Sequence, residues 1–215
     1  MGFAGFGERL TDFYDGLEAD NSKAYWTDNR PVYAEQVKAP MEALLRELEP
    51  EFGKGKIFRP YRDVRFSADK TPYKTPYKTH CGATAGPFYV QVGADGVMSA
   101  GGYYQMAGDQ IARFRVAVDE ERRGEDLRRR LAKLGKAGLT VAGDQLKTRP
   151  RGFADDHPRL ELLRHRSLYA WSRWPGEDLL LDPEMVDVVA ATWRALTPLT
   201  EWLADHVGPS EQARR

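Results

Sequence analysis

The spacing of apolar residues changes twice along this chain, and that limits the class of fold it can adopt. In the first fifty residues Phe6, Leu10, Phe13 and Leu17 recur at spacings of four, three and four. They make one apolar stripe and predict a helix from Phe3 to Leu17. Asn21 is placed to cap a second short helix carrying Tyr25 and Trp26. Pro31 suits the first turn of a third, whose buried face would hold Val37, Met41, Leu44 or Leu45, and Leu48. Pro40 falls inside that pattern and predicts a kink or break, and Pro50 to Gly55 end the helical part.

From Ile57 the period moves toward two. Ile57 to Phe66 reads as a strand, with Pro60 marking an edge position or a bulge. Phe88–Val92 and Val97–Tyr104 flank Gly93-Ala94-Asp95-Gly96, a hairpin signal. Ile111 to Val118 fits helix or strand. Leu127, Leu131 and Leu134 mark an amphipathic helix ended around Gly135 to Gly138. Leu139–Leu146 reads as a short strand or turn, Pro158–His165 as helical and Ser167–Trp174 as extended. Pro183 would start the last helix, with Met185, Val188 or Val189, Thr192 and Leu196 along one side, and Pro198 would restart it through Trp202. Helices at both ends of a hairpin-rich middle predict an α+β domain with a mainly antiparallel sheet. No linker divides it, so residues 1–215 are expected to form a single domain.

Several function classes are disfavoured at once. The 215 residues carry 32 basic and 32 acidic side chains, a balance that argues against generic nucleic-acid binding. No apolar run approaches the ~18 residues needed to cross a bilayer, and MGFAGFGERL lacks the basic and apolar regions of a secretory signal. One cysteine, Cys81, cannot form an internal disulfide. A cytoplasmic protein without membrane association is the simplest expectation.

Charge is locally uneven nonetheless. Between Arg59 and His80 stand Arg59, Arg62, Arg65, Lys70, Lys74 and Lys78, opposed only by Asp63 and Asp69 and interleaved with Tyr61, Tyr73 and Tyr77. A cationic patch on a neutral protein points to a localised anion site. Alternation along a regular strand would put Arg59, Tyr61, Asp63 and Arg65 on one face. Arg62 would then lie on the apolar face with Phe58, Val64 and Phe66, and a buried guanidinium there must be paired. Arginine suits a phosphate or carboxylate site because its planar fork binds such groups bidentately. The competing reading is structural: Asp63 pairs with Arg59 or Arg65, and Asp69 turns the chain.

These residues carry a family resemblance. RxxRDxRFxxDKxxY, filled here by Arg59, Arg62, Asp63, Arg65, Phe66, Asp69, Lys70 and Tyr73, resembles the signature of the bacterial and fungal proteins grouped as domain of unknown function 2461. The likeness extends to Asn21…Tyr25-Trp26…Asn29-Arg30…Tyr33, the glycine-rich hairpin, and Leu146-Lys147…Arg149-Pro150-Arg151-Gly152-Phe153…Asp156-His157-Pro158. It implies membership of that family and brings no established activity with it. One departure is a duplicated Thr-Pro-Tyr-Lys at residues 71–74 and 75–78, so that either Tyr73 and Lys74 or Tyr77 and Lys78 match the family position. Four extra residues would shift the next segment of chain by up to ~13 Å if extended.

The second basic cluster, Lys147, Arg149 and Arg151, is the best partner for the first. Gly152 allows a turn there, and His157 is the side chain suited to acid-base work near neutrality. The alternative is that Asp156 caps a helix starting at Pro158, with His157 in the turn. His80, His157, His165 and His206 show no metal-ligand spacing, and no Walker loop or GxSxG elbow is present, so no metal or cofactor is expected. The leading expectation is binding of a small anionic, phosphate-bearing ligand by Arg59, Arg62, Arg65, Lys70, Tyr73, Lys74, Tyr77, Lys78, Arg149 and Arg151. If the protein is an enzyme, Asp63, Asp69 or His157 would be its acid or base. The alternatives are a nucleic-acid or protein contact module using the Lys-Tyr tandem, and an ion-pair scaffold with no ligand.

Overall fold

The computed structural model of the chain describes residues 2–60 and 80–212. The fold is α+β: six strands pair in the order β1-β2-β3-β4-β6-β5 as one antiparallel sheet. The strands are β1 (Gly55–Ile57), β2 (His80–Ala85), β3 (Phe88–Gly93), β4 (Gly96–Tyr103), β5 (Thr140–Ala142) and β6 (Leu168–Trp174). The Gly93–Gly96 signal becomes the β3–β4 connection as expected, with Ala94 and Asp95 as the two turn residues. A second hairpin precedes it, where Ala85 pairs with Phe88 around Gly86-Pro87. No helix of the described residues is long and apolar enough to cross a membrane. The chain gathers into two compact units, each made from two segments: residues 1–99 with 173–191, and residues 100–172 with 192–215.

In the first unit, α1 (Leu10–Ala19) packs against α2 (Lys23–Tyr33) through an aromatic cluster. Phe13 lies at its centre, with ring centroids 5.1 Å from Tyr14, 5.9 Å from Trp26 and 5.8 Å from Tyr33. Helix α1 starts later than the apolar stripe suggests. Phe3 and Phe6 are buried all the same, from an extended lead-in whose Phe6 N–H donates to the Leu180 carbonyl at 2.7 Å. Ser22, not Asn21, caps α2, its hydroxyl accepting the Tyr25 N–H at 3.1 Å.

The prolines do not break the helices where the sequence suggests. Pro31 lies inside α2, which runs into a π-helical turn, Ala34–Lys38, and then α3 (Ala39–Phe52). Pro40 sits in the first turn of α3, where a missing N–H is least costly. It has no N–H to offer the Gln36 carbonyl four residues earlier, and Gly7 N–H donates to that oxygen at 3.1 Å instead. A break is unnecessary because the widened turn absorbs the proline ring and another segment supplies the donor. Beyond Gly53, β1 occupies only Gly55–Ile57, so the expected strand from Ile57 begins and ends early. Phe58 N–H still reaches the Gly82 carbonyl at 2.8 Å, but Arg59 and Pro60 are outside the strand, and residues 61–66 lie outside the described residues.

The second unit has α4 (Gly108–Asp119), α5 (Glu121–Lys136) and the short α6 (Leu160–Leu163). Ile111 to Val118 is thus helix, because its buried residues Phe114, Ala117 and Val118 fall at three-to-four spacing. Leu127, Leu131 and Leu134 line the buried face of α5 as expected. A further short helix, α7 (Asp178–Leu181), belongs to the first unit, and α8 (Met185–His206) comes after it. Pro198 does not restart α8, which is continuous. Its neighbour Thr197 donates its hydroxyl to the Trp193 carbonyl at 2.9 Å, and Arg130 donates to the Pro198 carbonyl at 2.8 Å. Within the second unit Phe114 and Trp202 meet edge to face at 6.0 Å, both buried.

Removing a buried aromatic ring at a crowded position costs about 3–5 kcal/mol. Phe13→Ala is expected to lower the unfolding free energy by about that amount in urea titration, whereas Val116→Ala on the exposed face of α4 should change it by less than about 0.5 kcal/mol.

Candidate functional site

The second unit holds a cationic cleft built on a loop that secondary structure alone does not fix. After β5 the chain makes a short ladder with the segment beyond α6: Leu146 N–H donates to the Arg164 carbonyl at 2.9 Å, and Arg166 N–H donates to the Asp144 carbonyl at 2.7 Å. Gln145 and His165 form the bridge between these bonds. The chain then turns at Arg151-Gly152, where Gly152 has φ +95°, a conformation that a residue with a side chain rarely adopts. Lys147, Thr148, Arg149, Arg151, Asp155 and Arg164 line a cleft of about 570 Å³.

Four cations thus face one carboxylate. Arg149 is already engaged, its Nε 2.7 Å from Asp155 and its Nη1 donating to the Phe153 carbonyl at 2.9 Å. Those two contacts fold the 149–155 loop onto itself. Among the described residues, no hydrogen bond or ion pair engages the side chains of Lys147, Arg151 or Arg164, and the Arg164 Nε is buried without a hydrogen-bond partner. A buried guanidinium N–H left unmatched costs free energy.

The loop is anchored by a buried arginine. Arg159 donates from Nε to the Val118 carbonyl and from Nη2 to the Asp119 carbonyl, both at 2.8 Å, and its Nη1 is 3.5 Å from Glu125. These carbonyls end α4, where no intrahelical donor remains and the helix dipole favours a cation. Gly124 leaves the room: a Cβ there would stand 2.3 Å from the Val118 oxygen and 2.5 Å from the Arg159 Nε.

His157 belongs to the same anchor. Its Nδ1 accepts the Arg159 N–H at 3.1 Å, so the ring proton is on Nε2, which donates to Asp119 at 3.1 Å. With both nitrogens occupied, His157 latches the loop, and it does not line the cleft. Asp156 does not cap the next helix: α6 begins at Leu160, with Arg159 at its N-cap and no side-chain cap, and the His157 carbonyl takes the Leu160 N–H at 3.0 Å. The imidazole of His165 is also fully used. Its Nδ1 donates to the Ser167 carbonyl at 2.9 Å and its Nε2 accepts from the Gln145 amide at 2.8 Å. Burial holds its pKa below the usual histidine value of 6.5.

Of the expected ligand residues, Arg149 and Arg151 come together in this cleft. Arg59 is exposed in the first unit, beyond the end of β1. Arg62, Arg65, Lys70, Tyr73, Lys74, Tyr77 and Lys78, with Asp63 and Asp69, lie outside the described residues. Arg164 was not foreseen. The sequence shows it only as one cation in Leu162-Leu163-Arg164-His165-Arg166, and no local pattern distinguishes it. Cys81 is buried, with the pKa of its thiol pushed up to about 12 by that burial, which leaves no thiolate for nucleophilic chemistry near neutrality. Among the described residues no group of three or more His, Cys, Asp or Glu side chains could hold a metal ion.

A family model described as "Conserved hypothetical protein (DUF2461)" matches residues 9–202, nearly the whole chain and all of the cleft. The chain belongs to that family. No curated protein matches it. In the family's terms, the Tyr25-Trp26…Tyr33 resemblance coincides with the aromatic core beneath α1 and α2, and the Lys147–Pro158 resemblance coincides with the cationic loop and its latch.

Breaking a buried charged network by removing one partner costs about 3–5 kcal/mol. Arg159→Ala is expected to do so in chemical denaturation, and His157→Ala to cost less, because its bond to the Asp119 carboxylate is solvent-exposed. The lowered His165 pKa gives a second expectation. Below pH 6.5 the unfolded chain takes up a proton that the folded chain refuses, so this residue's contribution, full above 6.5, is lost as pH falls through the folded value. Thermal melts between pH 7.5 and 5 should fall less steeply for His165→Gln, the difference in slope being at most about 1.4 kcal/mol per pH unit.

Proposed function

We propose that this protein binds a small anionic, phosphate-bearing ligand in the cytoplasm, and that the cleft of Lys147, Arg149, Arg151 and Arg164 is its site. The observation that carries this reading is Arg164, whose buried Nε has no hydrogen-bond partner, in a cleft where three other cations meet a single carboxylate. Lys147, Arg149 and Arg151 are exposed and Arg164 is half-buried, so solvent screens their mutual repulsion in part, and a bound anion would gain from a local excess of positive charge. Asp155 offsets one of these charges, and Arg149 is held on it. The single cysteine fits the assignment to a reducing compartment.

The basic segment from Arg59 to Lys78 forms the second part of the proposal, on its charge and tyrosine content alone. It is separately testable with Arg65→Ala, which changes none of the residues that line the cleft. If it acts instead as a nucleic-acid contact arm, oligonucleotides bind more tightly than phosphate, with an affinity that falls steeply with salt.

Isothermal titration with inorganic phosphate and pyrophosphate in low-salt buffer is the test. Wild-type protein is expected to bind both, and Arg164→Ala to weaken binding about ten-fold or more, since a hydrogen bond to a charged group is worth about 1.5–3 kcal/mol. Circular dichroism of the variant should match wild type. No phosphate or pyrophosphate binding by the folded wild-type protein at millimolar concentration would sink the proposal.

A further inference from the structure

A second cleft, of about 640 Å³, occupies the same unit, and two tyrosine rings form part of its wall. Tyr104 is 72% exposed, the most exposed large hydrophobic side chain of the described residues. Its ring lies against that of Tyr169, centroids 5.4 Å apart and planes tilted by 53°. Exposed aromatic rings of this kind lose water favourably to a flat partner, and base-on-tyrosine stacking is a recurring use of them. The rim is polar: Gln105 supplies a donor and an acceptor, Ser167 a hydroxyl, and Asp144 is ion-paired with Arg166. Ser167 already accepts the Asp144 N–H and Asp144 already holds Arg166, which leaves the exposed Gln105 amide to meet a ligand, and a heteroaromatic ring presents donors and acceptors to it at its edge.

The two clefts share one piece of backbone. Arg166 and Asp144 line the tyrosine cleft, Arg164 and Lys147 line the cationic cleft, and the Gln145–His165 bridge stands between them. Arg164 and Arg166 are two residues apart, so their Cα atoms are separated by at most about 7 Å. That bound sets the rims of the two clefts side by side, as a ligand with a ring at one end and a phosphate at the other requires.

Building on the proposed anion site, we infer that its ligand is a phosphate ester carrying a planar heteroaromatic ring, of nucleoside-monophosphate type, with the ring on Tyr104 and Tyr169 and the phosphate among Arg164, Arg151 and Lys147. Tyr104 determines the preference for the ring, and the cations supply the affinity for phosphate.

The test is titration of wild-type protein and of Tyr104→Ala and Tyr104→Phe with inorganic phosphate, ribose 5-phosphate and the four nucleoside monophosphates. Tyr104 is exposed enough that its truncation should leave the fold intact, which circular dichroism checks. At least one nucleotide is expected to bind about ten-fold more tightly than ribose 5-phosphate. That margin should vanish in Tyr104→Ala and persist in Tyr104→Phe, while the affinity for inorganic phosphate is unchanged in both. If phosphate binds and no nucleotide exceeds ribose 5-phosphate, or the margin survives Tyr104→Ala, the ring assignment is wrong and the anion site stands. If neither phosphate nor any nucleotide binds, both fall.

Discussion

An α-helix that ends inside a protein leaves carbonyl oxygens with no partner, and the second unit of this chain depends on how those oxygens are matched. Helix α4 ends at Asp119, and the guanidinium of Arg159, some forty residues later, takes the Val118 and Asp119 carbonyls. The same device recurs at the end of α8, where Arg113 reaches the Val207 carbonyl at 2.5 Å and the Pro209 carbonyl at 2.6 Å. In both cases a cation meets the negative end of a helix dipole while its hydrogens satisfy oxygens that water would otherwise have to reach. Arg159 has the larger structural consequence because it is also the end of a loop. By fixing residue 159 it sets where the chain from Lys147 to Pro158 must return, and that return encloses the cationic cleft.

The arginines of this unit therefore divide by environment. Arg159 is buried and saturated, with two carbonyls and Glu125 around it. Arg149 is half exposed and spent on its own loop. Arg164 is neither: its Nε is buried and meets no acceptor. Identical side chains thus become anchor, loop brace and candidate ligand contact according to which acceptors the backbone places nearby. Histidine obeys the same rule. His157 and His165 have both nitrogens engaged, so their chemistry is spent on geometry.

Much of the fold was legible because it rests on local periodicity. The α+β class, the Gly93–Gly96 hairpin, the leucine face of α5 and the extended Leu168–Trp174 segment all follow from spacings within a few residues. The prolines were read less well. Pro40 and Pro198 lie within continuous helical runs, since the cost of a missing N–H depends on what meets the freed carbonyl, and at Gln36 that is Gly7, from the lead-in to α1. Caps failed for a similar reason. Ser22 and Asn21 are both competent, and the choice depends on where the chain enters the helix. The candidate site was half legible. Lys147, Arg149 and Arg151 cluster in sequence, but Arg164 joins them only through the ladder with Leu146.

What the sequence determined by itself is the α+β class, several of the helices, the β3–β4 hairpin, the family and the presence of concentrated positive charge on a neutral chain. Those properties reside in neighbouring residues and survive without knowledge of the fold. Which charges are matched was decided by tertiary structure alone. A guanidinium's role depends on acceptors brought within hydrogen-bonding distance by residues distant in the chain. Arg159 found two carbonyls, and the Arg164 Nε found none.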